Sequence, residues 1–257
     1  MLNKFVRLNR KVSKAITPSH YAQGNVFQNF VRSGGLIFAL PDVRRVLDIG
    51  AGKKWPFPTS YKSAFDLYVI GGDIDRAEMD NNAALDEKVE IDATKNLAVP
   101  DGSMDVVMAY SGVEHFSDNQ AFLDLAFKAL RPGGFFIAQF PGSLAPFAIL
   151  NKMLPESVKL KIVHMLIPGS DGIQGFPAYY DQTRYSKFVA IANKSGFSVD
   201  FTMPGFFSAS YFGFFVPLYV FAMLYDIFRY AIGVRDLASY NLFVLRKPGP
   251  GDLISWQ

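Results

Sequence analysis

A turn with two glycines near residue 50 is the feature of this sequence with the clearest chemical meaning. The segment Val46–Gly52 has the sequence VLDIGAG, in which a short buried-strand pattern runs directly into Gly50, Ala51 and Gly52. Glycine has no Cβ atom, so the chain can turn sharply there and a ligand can lie against bare backbone. The segment predicts a strand that ends beside a ligand, although an ordinary strand-to-helix turn has the same local pattern.

Two acidic residues follow at positions where they could bind parts of a nucleoside. Asp73 ends a second apolar run in GGDID, and Asp92, followed by Ala93, ends a third. The first carboxylate can accept hydrogen bonds from both hydroxyls of a ribose, and the second can accept one from an adenine amino group. Aspartate is also common as a cap or turn residue. The order and spacing of the two acids nevertheless favour a site for a nucleoside-containing ligand.

The elements that must position these residues alternate between strand and helix. Helices are predicted at Asn119–Leu130 and Tyr185–Ser195, where apolar residues recur at helical spacing. Strands are predicted at Arg45–Ile49, Leu67–Gly72, Val89–Asp92, Met104–Tyr110, Gly134–Phe140, Phe197–Met203 and Tyr240–Arg246. This alternation indicates an α/β fold with a parallel sheet, in which ligands bind at the carboxyl ends of the strands.

Four segments together resemble the class I S-adenosylmethionine-dependent methyltransferases, in particular the group called methyltransferase type 11. They are VLDIGAG (Val46–Gly52), GGDIDRAEM (Gly71–Met79), DATKNLAVPDGSMDVVMAYSGVEHFSD (Asp92–Asp118) and LRPGGFF (Leu130–Phe136). The resemblance implies a Rossmann-like, seven-stranded, mostly parallel sheet with helices on both faces, and S-adenosyl-L-methionine as cofactor. The apolar segments after strand five and between strands six and seven exceed the simplest form of that fold and are predicted to be hydrophobic helical insertions.

The resemblance implies a role for each matching site residue. The methionine part of the cofactor is expected at Asp48, Gly50, Ala51 and Gly52, the ribose at Asp73 and Ile74, the adenine at Asp92 and Ala93, and the donor methyl group at Tyr110 and Ser111. One departure is Lys54, which replaces a third glycine. Pro56 and Pro58 interrupt the helix that follows, so we expect it to start near Ser60 and a wider loop to cover the cofactor.

Methyl transfer from a sulfonium needs alignment more than an elaborate catalytic group, but a hydroxyl acceptor also needs a base. We predict His115, Tyr179 and Tyr180 as catalytic or acceptor-contacting residues, with His164 as a weaker candidate. Both histidines also have a simple packing interpretation, and the tyrosines fit substrate contact better than proton transfer. No metal site is expected, because the sequence has no Cys and only 3 His.

The organisation of the chain predicts a methyltransferase domain preceded by a basic segment. Residues 1–40 are predicted to be a basic N-terminal helical segment, which is either a membrane-surface helix or a solvated terminus. The domain spans 41–257, with a core formed by 44–141, 183–204 and 240–248 and helical elaborations at 142–182 and 205–236. The formal net charge of +3 is too small to indicate nucleic-acid binding.

The stretch from Phe201 to Tyr225 has no charged residue and many aromatic ones. We predict an interfacial or re-entrant helical hairpin within Gly205–Ile232, with a substrate lid and a homodimer interface as alternatives. The predicted function is O-methylation of a lipid or lipid-linked glycan by a cytoplasmic protein that is peripheral or monotopic on the membrane.

Three alternative functions remain open from the sequence. One is a soluble small-molecule N- or O-methyltransferase with a hydrophobic lid. Another is a nicotinamide-dependent oxidoreductase, which shares the glycine turn and the acid after strand two. That class leaves the segment Pro100–Val107 unexplained, and Trp55 occupies its third glycine position. The last alternative is a cofactor-binding module without catalysis.

Overall fold

A seven-stranded sheet organises the protein, for which a computed structural model describes residues 2–18, 24–155 and 177–249. The strand order is β3-β2-β1-β4-β5-β7-β6. β7 is antiparallel to β5 and β6, and the other pairs are parallel. The strands are β1 (Arg45–Ile49), β2 (Tyr68–Asp73), β3 (Glu87–Glu90), β4 (Met104–Tyr110), β5 (Leu130–Pro141), β6 (Ser198–Gly205) and β7 (Tyr240–Arg246). The predicted Rossmann-like sheet is therefore confirmed.

The helices lie between these strands and at the N-terminus. The α-helices are Leu2–Ile16, Gly24–Phe38, Ser60–Ala64, Asn119–Ala129, Pro146–Met153, Tyr185–Lys194 and Val216–Ile232, and short 3₁₀ helices occur at Arg76–Met79, Val113–His115, Ala209–Phe212 and Arg235–Leu237. The helix after the glycine turn begins at Ser60, as Pro56 and Pro58 predict.

Four of the predicted strands need corrected boundaries, and of these β2 and β6 are displaced by only one or two residues. β3 ends at Glu90, so Asp92 lies beyond the strand and not at its last position. β5 begins at Leu130 because Leu130 pairs with Met104 before the register shifts, and normal pairing resumes at Phe135. Gly133, which follows the preceding helix, has φ of +80° within that irregular stretch, a conformation that glycine adopts without steric cost. The helix itself already ends at Ala129.

Hydrophobic side chains cover both faces of the sheet. One face is packed with side chains that include Phe122, Phe136, Phe188 and Phe243. The helix Gly24–Phe38, which the sequence assigns to the N-terminal segment, covers the other face and packs against β5, β6 and β7. Burying each large apolar side chain stabilises the fold by about 1.5–3 kcal/mol. This helix is therefore part of the structural core.

The loop after the glycine turn is anchored beneath that helix. Phe57 stacks on Phe30 with ring centroids 5.1 Å apart, and Trp55 lies 5.0 Å from Phe57. Gly34 permits this packing, since a Cβ atom there would lie 2.2 Å from Phe57 Cε1. The aromatic residues hold the loop in the core, so the expectation that it covers the cofactor is wrong.

The segment between β6 and β7 contains one α-helix, Val216–Ile232, which we call the C-terminal helix. A short 3₁₀ helix, Ala209–Phe212, precedes it, so the predicted helical hairpin is instead a single helix with a tight turn before it. Gly233 ends the helix with φ of +71°. Across the described ranges, none of the helices combines the length and apolar character that crossing a bilayer requires.

A buried ion pair attaches the C-terminal helix to the rest of the fold. Asp226 accepts hydrogen bonds from the backbone N–H groups of Ser208 (2.6 Å) and Ala209 (2.8 Å) and pairs with Arg229. Arg229 Nη1 donates to the carbonyl of Leu237 at 2.6 Å, and Nη2 donates to the carbonyl of Phe206 at 2.7 Å. Both ends of the insertion are therefore tied to this one pair of charges.

Candidate cofactor and acceptor site

A cavity of about 340 Å³ opens at the carboxyl ends of β1, β2 and β4. Its walls combine glycine backbone, carboxylates and small apolar side chains. Nine predicted site residues line it, namely Gly50, Gly52, Asp73, Ile74, Asp92, Ala93, Ser111, His115 and Tyr179. The structure therefore brings most of the predicted site together at the edge of the sheet where ligands of such folds bind.

The glycine turn presents its backbone to this cavity. Gly50 and Gly52 have φ of +69° and +46°, a conformation that glycine adopts without steric cost. A Cβ atom on Gly50 would lie 3.5 Å from the Cα of Gly112, so the turn packs closely against the end of β4. The Gly50 N–H donates to the carbonyl of Gly72 at 2.8 Å, which fixes the turn to β2.

Asp73 is fixed at the end of β2 by two backbone hydrogen bonds. Its Oδ2 accepts from the N–H of Gly52 at 3.1 Å, and its Oδ1 accepts from the N–H of Asp75 at 3.2 Å. A carboxylate retains further lone pairs for hydroxyl donors after two such bonds. The glycine turn and Asp73 thus form one rigid unit on the cavity wall.

Asp92 has structural partners in addition to its place on the wall. Its Oδ1 accepts from the N–H and the hydroxyl of Thr94 at 3.0 and 2.7 Å, and its Oδ2 lies 2.9 Å from Lys95 Nζ. The hydrogen bonds from Lys95 and Thr94 lower the pKa of this carboxyl from 3.8 to about 2. Asp92 is therefore an ionised turn residue that also faces the cavity.

Two predicted cofactor residues lie behind the wall. Asp48 is only 2% exposed and Ala51 is buried, and neither lines the cavity. Burial, followed by the nearby charge of Asp73, raises the pKa of the Asp48 carboxyl well above its usual value. Among the residues that the structure describes, Asp48 Oδ2 has no hydrogen-bond partner.

Tyr110 differs from its expected orientation. Its ring packs against Phe27 and Phe30 at centroid distances of 5.3 and 5.4 Å, on the face of the sheet covered by the helix Gly24–Phe38. Side chains alternate between the two faces along a strand, and β4 ends with Tyr110 on that face. Ser111, the next residue, lines the cavity and has φ of +52°. Such a conformation in a non-glycine residue is often found at functional sites.

His115 and Tyr179 lie together at the cavity rim. His115 Nδ1 is 2.9 Å from the carbonyl oxygen of Pro177, and this contact holds the ring across from Tyr179. The N–H groups of Tyr179 and Tyr180 donate to the carbonyl of Glu114 at 2.9 and 3.0 Å. The segment before the helix Tyr185–Lys194 is thereby attached to the end of β4. His164 lies outside the described residues.

Glu114 is a feature of the site that the sequence analysis missed. Its side chain is 7% exposed, and Oε2 has no hydrogen-bond partner within the described part of the chain. Burial raises the pKa of this carboxyl to about 8. The available signal was its position, because it is the acidic residue that follows β4 most closely in Ser111–Phe116.

Several tyrosines surround Glu114. Its charge raises the pKa values of Tyr110, Tyr180 and Tyr240, after the larger effect of their own burial. The Tyr240 hydroxyl donates to that of Tyr211 at 2.7 Å. We call these residues, Glu114, Tyr110, Tyr180, Tyr211 and Tyr240, the tyrosine–glutamate cluster. Tyr110 belongs to β4 and Tyr240 to β7, and the other members lie in connecting segments.

The cavity has the chemistry that S-adenosylmethionine requires. Bare backbone at Gly50 and Gly52 admits a close approach, Asp73 offers acceptors for ribose hydroxyls, and Ile91 with Ala93 forms an apolar wall suited to a base. The end of β4 at Ser111 and Gly112 borders both this cavity and the tyrosine–glutamate cluster. A methyl donor and a methyl acceptor can therefore meet there.

Comparison with known proteins supports this assignment. Residues 47–138 match the family model described as a methyltransferase domain. A probable S-adenosylmethionine-dependent methyltransferase of Mycolicibacterium smegmatis is 36% identical over 78 residues, which are 30% of this chain and 30% of that protein. The matched segment thus spans less than a third of that relative.

Solved structures show the same fold. A S-adenosylmethionine-dependent methyltransferase from Mesorhizobium loti aligns with a TM-score of 0.53 and 16% identity, over 84% of this chain and 97% of that one. Phosphoethanolamine N-methyltransferase 2 of Haemonchus contortus, in complex with S-adenosyl-L-methionine, aligns with a TM-score of 0.52 and 18% identity, over 86% of this chain and 52% of that one. At these identities the likeness concerns the fold alone. Residues 47–138 thus match a methyltransferase domain, and the chain has the fold of S-adenosylmethionine-dependent methyltransferases.

Proposed function

We propose that this protein transfers a methyl group from S-adenosylmethionine to a hydroxyl group of a lipid or lipid-linked acceptor at a membrane surface. The observation that supports the membrane part is an exposed apolar stripe on each of two helices that contact one another. We call the two stripes together the apolar platform. It consists of Phe5, Leu8, Val12 and Ile16 on the N-terminal helix Leu2–Ile16, and of Leu218, Phe221, Leu224, Tyr225, Phe228 and Ile232 on the C-terminal helix.

The apolar platform has the spacing of two helix stripes that face outwards. Its members recur three or four residues apart, which puts them on one side of each helix. Leu8 is 61% exposed and Phe221 is 70% exposed, although side chains of this kind are normally buried. An exposed apolar surface of this kind is typical of a contact with another protein or a membrane.

Polar contacts join the two helices and leave the apolar stripes outside. The backbone N–H of Val216 donates to Asn9 Oδ1 at 2.9 Å, and Ser13 Oγ donates to the carbonyl of Gly213 at 3.2 Å. Asn9 and Ser13 are buried by this contact. The N-terminal helix therefore docks through its polar side, which is the reverse of ordinary packing in a globular protein.

Charge favours an anionic lipid surface over a second protein as the partner. The N-terminal helix has basic residues and no acidic ones, namely Lys4, Arg7, Arg10, Lys11 and Lys14. The C-terminal helix adds no exposed charge, because Asp226 and Arg229 are both buried. Basic residues beside an apolar helix surface bind anionic headgroups while the apolar side chains enter the acyl boundary.

The apolar platform is connected to the site through Tyr211. This residue lies just before the C-terminal helix, hydrogen-bonds to Tyr240 and stacks on Phe147 at a centroid distance of 4.5 Å. A lipid could therefore lie along the platform with its headgroup in the tyrosine–glutamate cluster. A lid would need the stripe of the C-terminal helix to face the cavity, whereas that stripe faces solvent.

The residues of this chain have simple tasks in such a reaction. When bound, S-adenosylmethionine supplies an activated methyl group on a sulfonium. The glycine turn and Asp73 hold and orient the donor, and the end of β4 limits the space between donor and acceptor. Orientation of this kind is the main requirement of the reaction.

Lipid mass spectrometry tests the chemical part of the proposal. Full-length protein is incubated with methyl-labelled S-adenosylmethionine and total bacterial lipid extract. We expect label in a lipid species that gains one CH₂ unit and forms an acid-stable ether. Label that enters only water-soluble molecules, or that never leaves the donor, would overturn the proposal.

Flotation with vesicles of phosphatidylglycerol and phosphatidylcholine tests the membrane part. The variant Phe221→Asp/Phe228→Asp should lose at least about 10-fold in vesicle binding, since burying one such ring contributes about 1.5–3 kcal/mol. Leu36→Asp is the matched control, because Leu36 is 66% exposed on a different helix. Equal binding by the wild type and both variants would contradict the platform's role.

A further inference from the structure

We infer that Glu114 is the general base that accepts the proton from the acceptor hydroxyl, and that the surrounding tyrosines form the subsite for a hydroxyl-bearing polar headgroup. The inference rests on the proposed methyl transfer and assigns its proton acceptor. It differs from the sequence-based candidates, which were His115, Tyr179 and Tyr180.

The first argument is the unused hydrogen-bonding capacity of Glu114. A buried carboxyl oxygen without a partner is costly, so natural proteins seldom retain one without a reason. Glu114 Oε2 has none among the described residues, while Oε1 lies 3.9 Å from His115 Nε2. A hydroxyl of a bound acceptor would satisfy Oε2.

The second argument is position. Glu114 follows Ser111 and Gly112, which line the donor cavity, and it lies within the 3₁₀ helix Val113–His115. Its backbone carbonyl binds the N–H groups of Tyr179 and Tyr180, so the residue lies where the end of β4 meets the segment that contains both tyrosines. Tyr180 holds φ of +53° there, a conformation that non-glycine residues rarely adopt.

The third argument concerns the groups that face Glu114. They are Tyr110 on β4, Tyr180 before the helix Tyr185–Lys194, Tyr240 on β7 and the neighbouring His115. Lys152 on the helix Pro146–Met153 contacts this group from outside, with its Nζ 5.4 Å from the centroid of the Tyr180 ring. Burial without a directly paired cation raises the pKa of Glu114 to about 8, and a base titrating near neutral pH is an effective proton acceptor.

The proposed step balances in atoms and charge. The acceptor O–H bond breaks and its proton passes to Glu114 Oε2. The oxygen uses its electron pair to bond to the methyl carbon, and sulfur retains the pair of the broken carbon–sulfur bond. The products are a methyl ether, S-adenosylhomocysteine and a neutral Glu114, which then loses its proton to solvent.

Difference infrared spectroscopy tests the inference without any acceptor. Wild-type protein should show a protonated-carboxyl band component at pH 6 that is lost with a midpoint near pH 8, and this component should be missing from Glu114→Gln, while the contribution of buried Asp48 remains in both proteins. Glu87→Gln is the matched control, because Glu87 is an exposed residue of β3 away from the site, and this variant should keep the band. A band that vanishes in the ordinary range of glutamate would overturn the inference.

Kinetics with bacterial lipid extract provide the second measurement. Glu114→Gln should lower kcat by about 10²- to 10⁴-fold, abolish the rise of activity between pH 6 and 9 and leave the Kd of S-adenosylmethionine unchanged. Retained kcat and pH profile in this variant would refute the role of Glu114. Absence of turnover in the wild type would refute the proposed function instead, while the infrared titration would still test the carboxyl.

Discussion

The two halves of the sheet differ in how they form a site. The donor half, β1 to β4, uses backbone and carboxylates from short consecutive segments, and Asp73 and Asp92 face the cavity. The tyrosine–glutamate cluster joins the end of β4 to the half containing β5, β6 and β7, combines residues from Tyr110 to Tyr240 and includes the buried Glu114. A donor that many proteins share can be bound by residues that are close together in sequence. A site for one particular acceptor is built from residues that only the folded chain brings together.

The largest expected effect is a loss of stability when the buried ion pair between Asp226 and Arg229 is broken. Arg229→Met should lower the free energy of unfolding by about 3–5 kcal/mol, because Asp226 would remain buried without its cation. Chemical denaturation measures this change. The double variant Asp226→Leu/Arg229→Met should recover much of the loss, since it leaves no unpaired charge. Equal loss in the single and double variants would show that packing, not charge, dominates.

The next prediction concerns the pH dependence of stability. Glu114 has a folded-state pKa raised from 4.5 to about 8, so between these values the folded state binds a proton that the unfolded state has released. Stability from this group is therefore present at low pH and falls as pH rises through the window, by on the order of 3 kcal/mol between pH 5.5 and 8. Denaturation of wild type and Glu114→Gln at pH 5.5 and 9 isolates this contribution, which the variant should lack.

A smaller effect is expected from the donor half. Asp73→Ala should weaken binding of S-adenosylmethionine by about 1–3 kcal/mol through lost charge-assisted hydrogen bonds. The free energy of unfolding should change less, because Asp73 is only partly buried. Calorimetric titration measures the affinity, and Asp75→Ala is the control at a neighbouring acid. Unchanged affinity in Asp73→Ala would remove the ribose assignment.

The smallest effect is expected from Tyr110, which tests whether this residue belongs to the donor site. Its ring packs against Phe27 and Phe30, so Tyr110→Phe should leave the Kd of S-adenosylmethionine within about twofold of the wild-type value. Loss of the hydroxyl should change stability by about 0.5–1.5 kcal/mol at most. A tenfold loss of affinity in titration calorimetry would instead return Tyr110 to the donor site.

The donor half could be predicted from sequence because its signals are local. VLDIGAG specifies a strand and its turn, and Asp73 ends the next strand, as the structure confirms. β1, β4 and β7 have the predicted boundaries. The error at Asp92 arose because a carboxylate that binds Thr94 and Lys95 in a turn has the same sequence appearance as one that ends a strand.

The acceptor half could not be predicted in the same way. Glu114 acquires its unusual environment from Tyr180 and Tyr240, which are distant in sequence. Periodicity indicates that a helix has an apolar face but not which face is buried. Asn9 and Ser13 show this, since they dock the N-terminal helix while Phe5 and Leu8 remain exposed.

The pairing of Gly205 with Tyr240 has a consequence for how related chains can diverge. These residues are opposite one another at the end of the β6–β7 ladder, and the N–H of Ser239 closes the ring with the carbonyl of Gly205 at 2.7 Å. Residues 206–239 therefore leave the sheet and return to it at a single pair of opposite residues. The entropic cost of closing such a connecting segment depends only weakly on its length. The segment can therefore be replaced as a unit without disturbing the sheet. Swapping it between homologues should exchange the C-terminal helix and Tyr211 while the donor machinery and the rest of the tyrosine–glutamate cluster stay intact.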